Sequence, residues 1–202
     1  MKRFLFATAV LVAVPVAGVA QTAPPAAPST APAKPAPGVL DKAVNTPGTN
    51  WSIYGTAQRS KLGKTQGVPG DQAMRVDVTA KGANAWDVGA QSPIQKAIGA
   101  GDAILVAVYL RAPLLKEGET ASIPFLGATD KAPPYATLVG NPVTIGNQWK
   151  LYYASGKAAQ AVPAGTANVA VHLAAAKQVI ELGPVFVLDF GPDYNLAKLP
   201  KN

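Results

Sequence analysis

The stretch that decides the fold is GVPGDQAMRVDVTAKGANAWDVGAQSPIQKAIGAGDAILVAVYLRAP, residues 67–113. Its first run, residues 73–78, alternates apolar and charged side chains. In its last run, residues 104–111, one face is wholly apolar, and the other carries Leu105 and Ala107 followed by Tyr109 and Arg111. Because successive side chains of a β-strand point to opposite faces, a period of two predicts strands. The stretch therefore predicts antiparallel strands with one buried face and one polar face.

The rest of the chain continues this pattern. Further strands are expected at residues 51–54, 84–91, 122–128, 135–139, 143–153, 168–173 and 179–189. Their connections are rich in Gly, Pro, Asn and Asp, as turns require, and helical spacing is confined to one short turn near residues 92–98. The fold class expected is all-β, a single antiparallel β-sandwich or jelly roll. The side chains expected in its core are Val76, Val106, Val108, Val169, Val171 and Leu173.

Three segments follow one another along the chain. Residues 1–20 combine Lys2 and Arg3 with an apolar run and small residues before the cut expected after Ala20, which predicts a signal peptide; a membrane anchor is the alternative. Residues 21–38 are almost entirely Ala, Pro, Thr and Ser and predict a disordered linker, an ordered arm being the alternative. Residues 39–202 form the predicted β-sandwich domain. The chain has no cysteine, which fits a bacterial periplasmic or secreted protein stabilised by its core alone.

Charge argues against nucleic acid as a partner. The formal net charge is +7, but the basic residues are scattered and form neither a like-charged block nor a basic helix. Nucleic-acid binding usually needs a clustered basic patch, so no nucleic acid is expected as a partner. Once the signal is removed, no stable membrane insertion is expected either.

Catalytic side chains are scarce. His172 is the only histidine, there is no cysteine nucleophile, and no Gly-x-Ser-x-Gly elbow is present. A glycosidase would need two opposed carboxylates, and Asp87, beside Trp86, is the best single candidate for a working acid. Its expected role is that of a hydrogen-bond acceptor or a structural contact in a turn. No enzymatic activity is therefore expected, with a small hydrolase as the alternative to test.

Binding has better candidates. Tyr109 and Arg111 share one polar strand face, His172 and Asn168 share another, and Gln91 and Asp87 share a third. A sugar offers hydroxyl groups and an apolar C–H face, so its recognition needs aromatic rings beside planar donors and acceptors. The alternative is the ordinary solvent side of a sheet. Leu105 and Ala107 favour binding, because they make the Tyr109 face less polar than a solvated face would be.

The tryptophans leave alternatives open. Alternation groups Trp86 with Val88 and Ala90 in the core, whereas a local bulge would turn it outward. Trp149 groups with Leu151 and Tyr153 in the core, and Trp51 is expected at the domain edge.

The ordered set of motifs over residues 51–190 resembles the CenC-type carbohydrate-binding domains of the galactose-binding-like jelly-roll superfamily. The segments that carry the resemblance are Trp86-Asp87 followed by Gln91, Gly101-Asp102, Leu110-Arg111-Ala112, Val171-His172-Leu173 and the closing run at residues 181–187. The resemblance implies a non-catalytic jelly roll that binds polysaccharide or oligosaccharide on its concave sheet. By position it assigns the ligand to Trp86, Gln91, Tyr109, Arg111 and His172.

The chain also departs from that family. Residues 44–54 lack the Asn-Phe-Glu element with which the family often holds a structural calcium ion, Asn45 and Asn50 alone being similar. No cofactor is therefore expected, and Asp189 is the residue that remains for a structural calcium. No catalytic domain accompanies the module, which implies a freestanding role. A structural or protein-binding envelope component with the same fold and no sugar site is the alternative.

Overall fold

The computed structural model describes residues 38–202. The signal peptide predicted at residues 1–20 and nearly all of the linker predicted at residues 21–38 lie outside the described residues. Within residues 38–202 the structure has no α-helix, and no helix there is long and apolar enough to span a bilayer.

Ten strands and four short 3-10 turns make up the domain. The strands are β1 Ser52–Tyr54, β2 Gln58–Lys64, β3 Gln72–Val78, β4 Gly89–Ile94, β5 Ala103–Arg111, β6 Ala121–Asp130, β7 Thr137–Ile145, β8 Lys150–Lys157, β9 Ala167–His172 and β10 Gln178–Asp189. The 3-10 turns are Val39–Lys42, Pro69–Asp71, Ala85–Asp87 and Leu196–Lys198.

The strands form two antiparallel sheets of five. The front sheet has the order β1-β4-β9-β6-β7, and the back sheet has the order β2-β3-β10-β5-β8. Strands that are adjacent in sequence are often separated in space, and the chain crosses repeatedly between the sheets, as a jelly roll requires. The predicted fold class, an all-β antiparallel sandwich, is confirmed.

The core lies between the two sheets, where alternation places it. The six side chains expected there are all fully buried: Val76, Val106, Val108, Val169, Val171 and Leu173. Trp51 joins this core instead of packing at the domain edge, because its Nε1 donates a 2.7 Å hydrogen bond to the Gly183 carbonyl and anchors the ring inside.

Three expectations about local structure are wrong. The strand expected at residues 84–91 begins only at Gly89, because Ala85–Asp87 forms a 3-10 turn. The short helical turn expected near residues 92–98 is instead the end of β4 followed by an isolated bridge at Ile98. The single run expected at residues 143–153 is two strands joined by a tight turn.

The side chains of β8 that face inward also differ from those expected. Tyr152 and Ala154 are buried in the core, whereas Trp149, Leu151 and Tyr153 take the outer face of the back sheet and are half-buried. The three residues were expected in the core, but the residues that face inward are their immediate neighbours along the strand, so this expectation is wrong. In the back sheet, the pairing of β10 with β5 shifts register between Leu182 and Val185, which places a bulge at Gly183 and Pro184.

Part of the outer face of the back sheet is covered by residues 190–202. Leu105 packs with Leu188 and Leu199 in a second apolar cluster, with Phe190 and Tyr194 against it. The last residue, Asn202, accepts a 2.8 Å hydrogen bond from the Tyr153 amide and donates a 2.9 Å bond to its carbonyl. Leu105 and Ala107 are therefore buried, and the apolar character of this face reflects packing by the chain itself.

Candidate functional site

A cleft of about 660 Å³ lies on the outer face of the front sheet. It is called the aromatic cleft here. Strands β1, β4, β9, β6 and β7 contribute to it, together with the turn before β4 and the loop between β6 and β7. Its lining residues are Tyr54, Trp86, Gln91, Phe125, Thr129, Pro134, Tyr135, Thr137, Ala170 and His172.

Glycines in the sheet let two of the rings approach the backbone closely. A Cβ atom on Gly89 would clash with the Tyr54 ring, and one on Gly140 would lie 2.5 Å from Cε2 of Phe125. Tyr54 and Phe125 therefore occupy space that side chains on β4 and β7 would otherwise fill. The rings form part of the cleft floor because these positions carry no side chain.

His172 lies between two aromatic rings at the middle of the cleft. Its ring centroid is 4.9 Å from that of Phe125 and 6.0 Å from that of Trp86, the latter in an edge-on arrangement. Burial lowers the pKa of His172 below its ordinary value of 6.5. The imidazole is therefore neutral at pH 7 and offers one donor and one acceptor.

Trp86 reaches the cleft from the 3-10 turn Ala85–Asp87, and its side chain is 56% exposed. The Asp87 carboxylate closes this turn by accepting a 2.9 Å hydrogen bond from the Asn84 amide. The Ala85 carbonyl accepts a 3.0 Å bond from the Ala174 amide beyond β9. These hydrogen bonds hold the turn in place. Of the two positions considered for Trp86, core or outer face, the structure shows the outer face.

The same contacts define the role of Asp87. The hydrogen bond from the Asn84 backbone lowers the pKa of the Asp87 carboxyl, so this group is ionised at neutral pH. A general acid would need a raised pKa. The geometry therefore supports a structural contact in a turn for Asp87.

The polar groups of the cleft are uncharged. Gln91 lies on β4 and its Oε1 accepts a 3.5 Å contact from Nδ2 of buried Asn168 on β9. Thr129 and Thr137 add hydroxyl groups from β6 and β7. None of the described residues that line the cleft is an Asp, Glu, Lys or Arg. Such a surface offers aromatic faces and neutral hydrogen-bonding groups, without a strong preference for an ionic ligand.

Two of the five predicted ligand residues lie elsewhere. Trp86, Gln91 and His172 line the aromatic cleft, but Tyr109 and Arg111 are on β5 of the back sheet. The resemblance assigned all five to the ligand by position, but β5 and β9 belong to different sheets, so the structure does not bring Tyr109 and Arg111 together with the other three. Alternation identifies the outward face of each strand but does not show which sheet the strand joins.

Arg111 has a structural environment of its own. Its guanidinium forms a 2.7 Å ion pair with Glu181, whose side chain is only 13% exposed, and lies 4.6 Å from the centre of the Trp149 ring. The same guanidinium also contacts the Thr65 hydroxyl at 3.3 Å. Tyr109 is half-buried beside Gly183 on the neighbouring strand. These contacts tie β5 to β10 and to the segment after β2.

Replacing Arg111 with alanine is expected to lower the free energy of unfolding by about 1–3 kcal/mol. Glu181 would keep only Arg75, at 3.7 Å, as a cationic partner, and the contact with Trp149 would be lost. Urea unfolding measures this change. Lys61→Ala removes an exposed cation from the same sheet and is the matched control. Unchanged stability of Arg111→Ala would contradict the structural role, and a loss of ligand binding at the front sheet would contradict the separation of the two faces.

Sequence reasoning did not find Tyr54, Phe125 and Tyr135. Tyr54 belongs to a strand of three residues, which is too short for alternation to be informative. Phe125 lies within a register shift between Ile123 and Leu126, which turns it to the outer face. Tyr135 lies in the loop between β6 and β7 with a positive φ of 56°. The glycines of the front sheet could have indicated Tyr54 and Phe125, since Gly89 and Gly140 leave room for these rings.

The residues considered for calcium have other partners. Asn45 bonds to the backbone of β10, and an Asp189 oxygen accepts a 2.8 Å hydrogen bond from the Gly191 amide. Within residues 38–202 no group of three or more His, Cys, Asp or Glu side chains is placed to hold a metal ion.

Comparison with known proteins supports the fold. No family model matches the sequence, and no curated protein matches it significantly. The structure is similar to the N-terminal cellulose-binding domain of β-1,4-glucanase C from Cellulomonas fimi, with 17% identity and a TM-score of 0.51, over 73% of this chain and 91% of that domain. A CBM4 carbohydrate-binding module gives 16% identity and a TM-score of 0.51, over 69% of this chain and 94% of the module.

An arabinose-bound GH51 α-L-arabinofuranosidase is also similar, with 13% identity and a TM-score of 0.53, over 75% of this chain. The match spans only 26% of that enzyme. At these identities the similarity shows a common fold. The chain therefore has the jelly-roll fold of the carbohydrate-binding modules, and the resemblance drawn from its motifs is confirmed at the level of the fold.

Proposed function

We propose that the protein binds a neutral polysaccharide or oligosaccharide in the aromatic cleft, without catalysis. The observation that carries this proposal is the composition of the cleft. Five aromatic or imidazole rings and several neutral hydrogen-bonding groups share one open surface that has no charged residue among its described lining. The carbohydrate-binding modules among the structural neighbours support the same interpretation.

The chemistry of a sugar ring matches these groups. Its C–H face packs against an aromatic ring, and its hydroxyl groups exchange hydrogen bonds with amide and hydroxyl side chains. In the cleft, Trp86 and Tyr135 are the most exposed rings, 56% and 58% respectively. Gln91 and the neutral imidazole of His172 supply both donors and acceptors. A chain of several sugar units would pass over the rings and bond to the strands beneath.

The expected affinity is modest. An open cleft leaves part of each sugar hydrated, and water mediates some of its contacts. A dissociation constant on the order of 10 µM to 1 mM corresponds to roughly 4–7 kcal/mol of binding free energy. Such binding would keep the protein near a polymer, for which fast exchange is sufficient.

Export and the lack of catalysis belong to the same proposal. The signal-like residues 1–20 and the Pro/Ala-rich residues 21–38 support a periplasmic or secreted location. Asp87, the best candidate acid, is engaged in its turn with a lowered pKa, which supports binding without hydrolysis.

Replacing Trp86 with alanine is expected to weaken glycan binding by about 2 kcal/mol, roughly 30-fold in the dissociation constant. A sugar covering the exposed half of the indole would bury on the order of 80–100 Å² of apolar surface, and this gain is lost in the variant. Titration calorimetry against soluble xylan, β-glucan and cello-oligosaccharide fragments measures the change. The wild-type protein serves as the reference.

Leu62→Ala is the matched control, because Leu62 is a comparably exposed apolar side chain, 47%, on the back sheet. It should bind as the wild type does. Equal weakening in both variants would place the site elsewhere. Failure of the wild-type protein to bind any neutral glycan would favour the alternative of a structural or protein-binding envelope component.

A further inference from the structure

A second opening lies at one end of the sandwich. It is a groove of about 770 Å³ where β3 and β5 end and where β6 and β10 begin, and it extends to Arg59 near the start of β2. It is called the basic groove here. None of the described residues that line the aromatic cleft lines this groove. The groove runs across the ends of several strands, so an extended ligand would cross them.

The two openings differ in charge. Arg59, Arg75 and Lys177 line the basic groove, and Asp77 is the single acidic residue among its described lining. Asp77 forms a 2.9 Å ion pair with Arg75, which also lies 3.7 Å from Glu181. These carboxylates therefore neutralise Arg75.

Among the described residues the remaining two cations form no ion pair, and Arg59 lies directly across from Asp77 in the pairing of β2 with β3. Within residues 38–202, neither Arg59 nor Lys177 has a carboxylate oxygen within 4.0 Å. Both side chains are exposed at the groove. Unpaired cations that line one concavity attract an anion more strongly than the same charges spread over a surface. Arg59 can also hold a carboxylate through two parallel hydrogen bonds.

Between the cations the groove is apolar and hydroxylated. Leu114 is 69% exposed, the largest exposed fraction among the large apolar residues of the described chain, and Leu115 next to it packs against the core. Thr79 and Ser122 add hydroxyl groups to the lining, and Gln178 adds an amide. A simple inorganic anion would not pack against the leucines, and a purely apolar ligand would not form ion pairs with the cations.

We propose that the basic groove binds a carboxylate-bearing oligosaccharide of the uronate type. Its carboxylates would pair with Arg59 and Lys177, its hydroxyls with Thr79, Ser122 and Gln178, and the C–H face of a ring would cover Leu114. This inference stands on the groove alone and does not depend on binding at the aromatic cleft. If both sites bind, one molecule can hold a neutral and an acidic glycan chain together.

The test uses a galacturonic acid oligosaccharide as the probe and its fully methyl-esterified form as the neutral counterpart. The double variant Arg59→Ala/Lys177→Ala is compared with Lys61→Ala/Lys64→Ala, which removes the same charge from β2 outside the groove. Wild-type protein should bind the acidic probe at least tenfold more tightly than the esterified one. The groove variant should lose about tenfold or more in affinity, and the control should stay within about twofold.

Two single variants show whether the acidic probe binds in the basic groove. Trp86→Ala should bind this probe as the wild type does, because its ring belongs to the aromatic cleft. Leu114→Ala should weaken binding without changing the net charge. Equal losses in the groove variant and its control, equal competition by poly-glutamate, or no binding of the acidic probe by the wild type would each overturn the proposal. Melting temperatures of all variants show whether any loss reflects unfolding.

Discussion

Trp51→Ala is expected to lower the free energy of unfolding by about 3–5 kcal/mol, the largest effect expected of a single substitution considered for this protein. The indole lies just before β1, is 7% exposed, and packs among the side chains between the two sheets. Alanine would leave a cavity and would also remove the donor to the Gly183 carbonyl, a buried 2.7 Å bond at the bulge of β10. Urea unfolding followed by far-ultraviolet circular dichroism measures the loss.

Trp51→Phe separates the two contributions. Phenylalanine keeps most of the apolar volume but leaves the Gly183 carbonyl without its donor, so a smaller loss of about 1–3 kcal/mol is expected. If alanine and phenylalanine destabilise the protein equally, packing of the ring contributes little to stability, which would contradict the prediction. A loss below about 1 kcal/mol for Trp51→Ala would have the same meaning.

The second large effect is expected for Asn45→Ala, about 2–4 kcal/mol, because the buried Val187 N–H would lose its partner and the Val185 carbonyl would keep only the Gly48 N–H, at 3.4 Å. The Asn45 amide accepts a 2.7 Å hydrogen bond from the Val187 N–H and donates a 3.0 Å bond to the Val185 carbonyl. The pairing of β10 with β3 ends at Leu182. Beyond it, the Asn45 side chain forms backbone hydrogen bonds that a neighbouring strand would otherwise form. Chemical denaturation measures the stability, and amide exchange of Val187 reports the lost bond directly.

Asn50→Ala is the matched control, since it removes the same side chain from an exposed position where one 3.2 Å bond joins it to the Thr46 carbonyl. Its effect should stay below about 0.5 kcal/mol. If Val187 keeps its exchange protection in Asn45→Ala, another group has taken over the bond. The role assigned to Asn45 would then be incorrect.

The fold could be predicted because its central strands alternate strictly. In β5 and β9 one face is continuously apolar, so burial of Val106, Val108, Val169 and Val171 followed from spacing alone. Strand β2 was not predicted. Six of its seven residues are exposed, and a strand at the edge of a sheet has no apolar face to reveal it.

The candidate site could be predicted only in part. Gln91 and His172 lie on regular strands, so their outward direction followed from alternation. Trp86 lies on a 3-10 turn, and the two-residue alternation of a strand does not predict such a turn. Tyr109 and Arg111 were assigned to the ligand because they are polar and outward, but the pairing of β5 with β8 and β10 places them on the other sheet. Strand order depends on contacts far apart in sequence, and a single sequence does not contain them.

Residues 190–202 pack against the back sheet, and this packing affects how glycan binding can be measured on a sensor surface. Asn202 is held at Tyr153 on an edge strand of the back sheet, and Leu199 is buried there. A linker attached at Asn202 therefore starts from a fixed point on the side of the sandwich opposite the aromatic cleft. If the protein is immobilised through that linker, the back sheet would face the support. The front sheet would then be accessible to long polymer chains in solution.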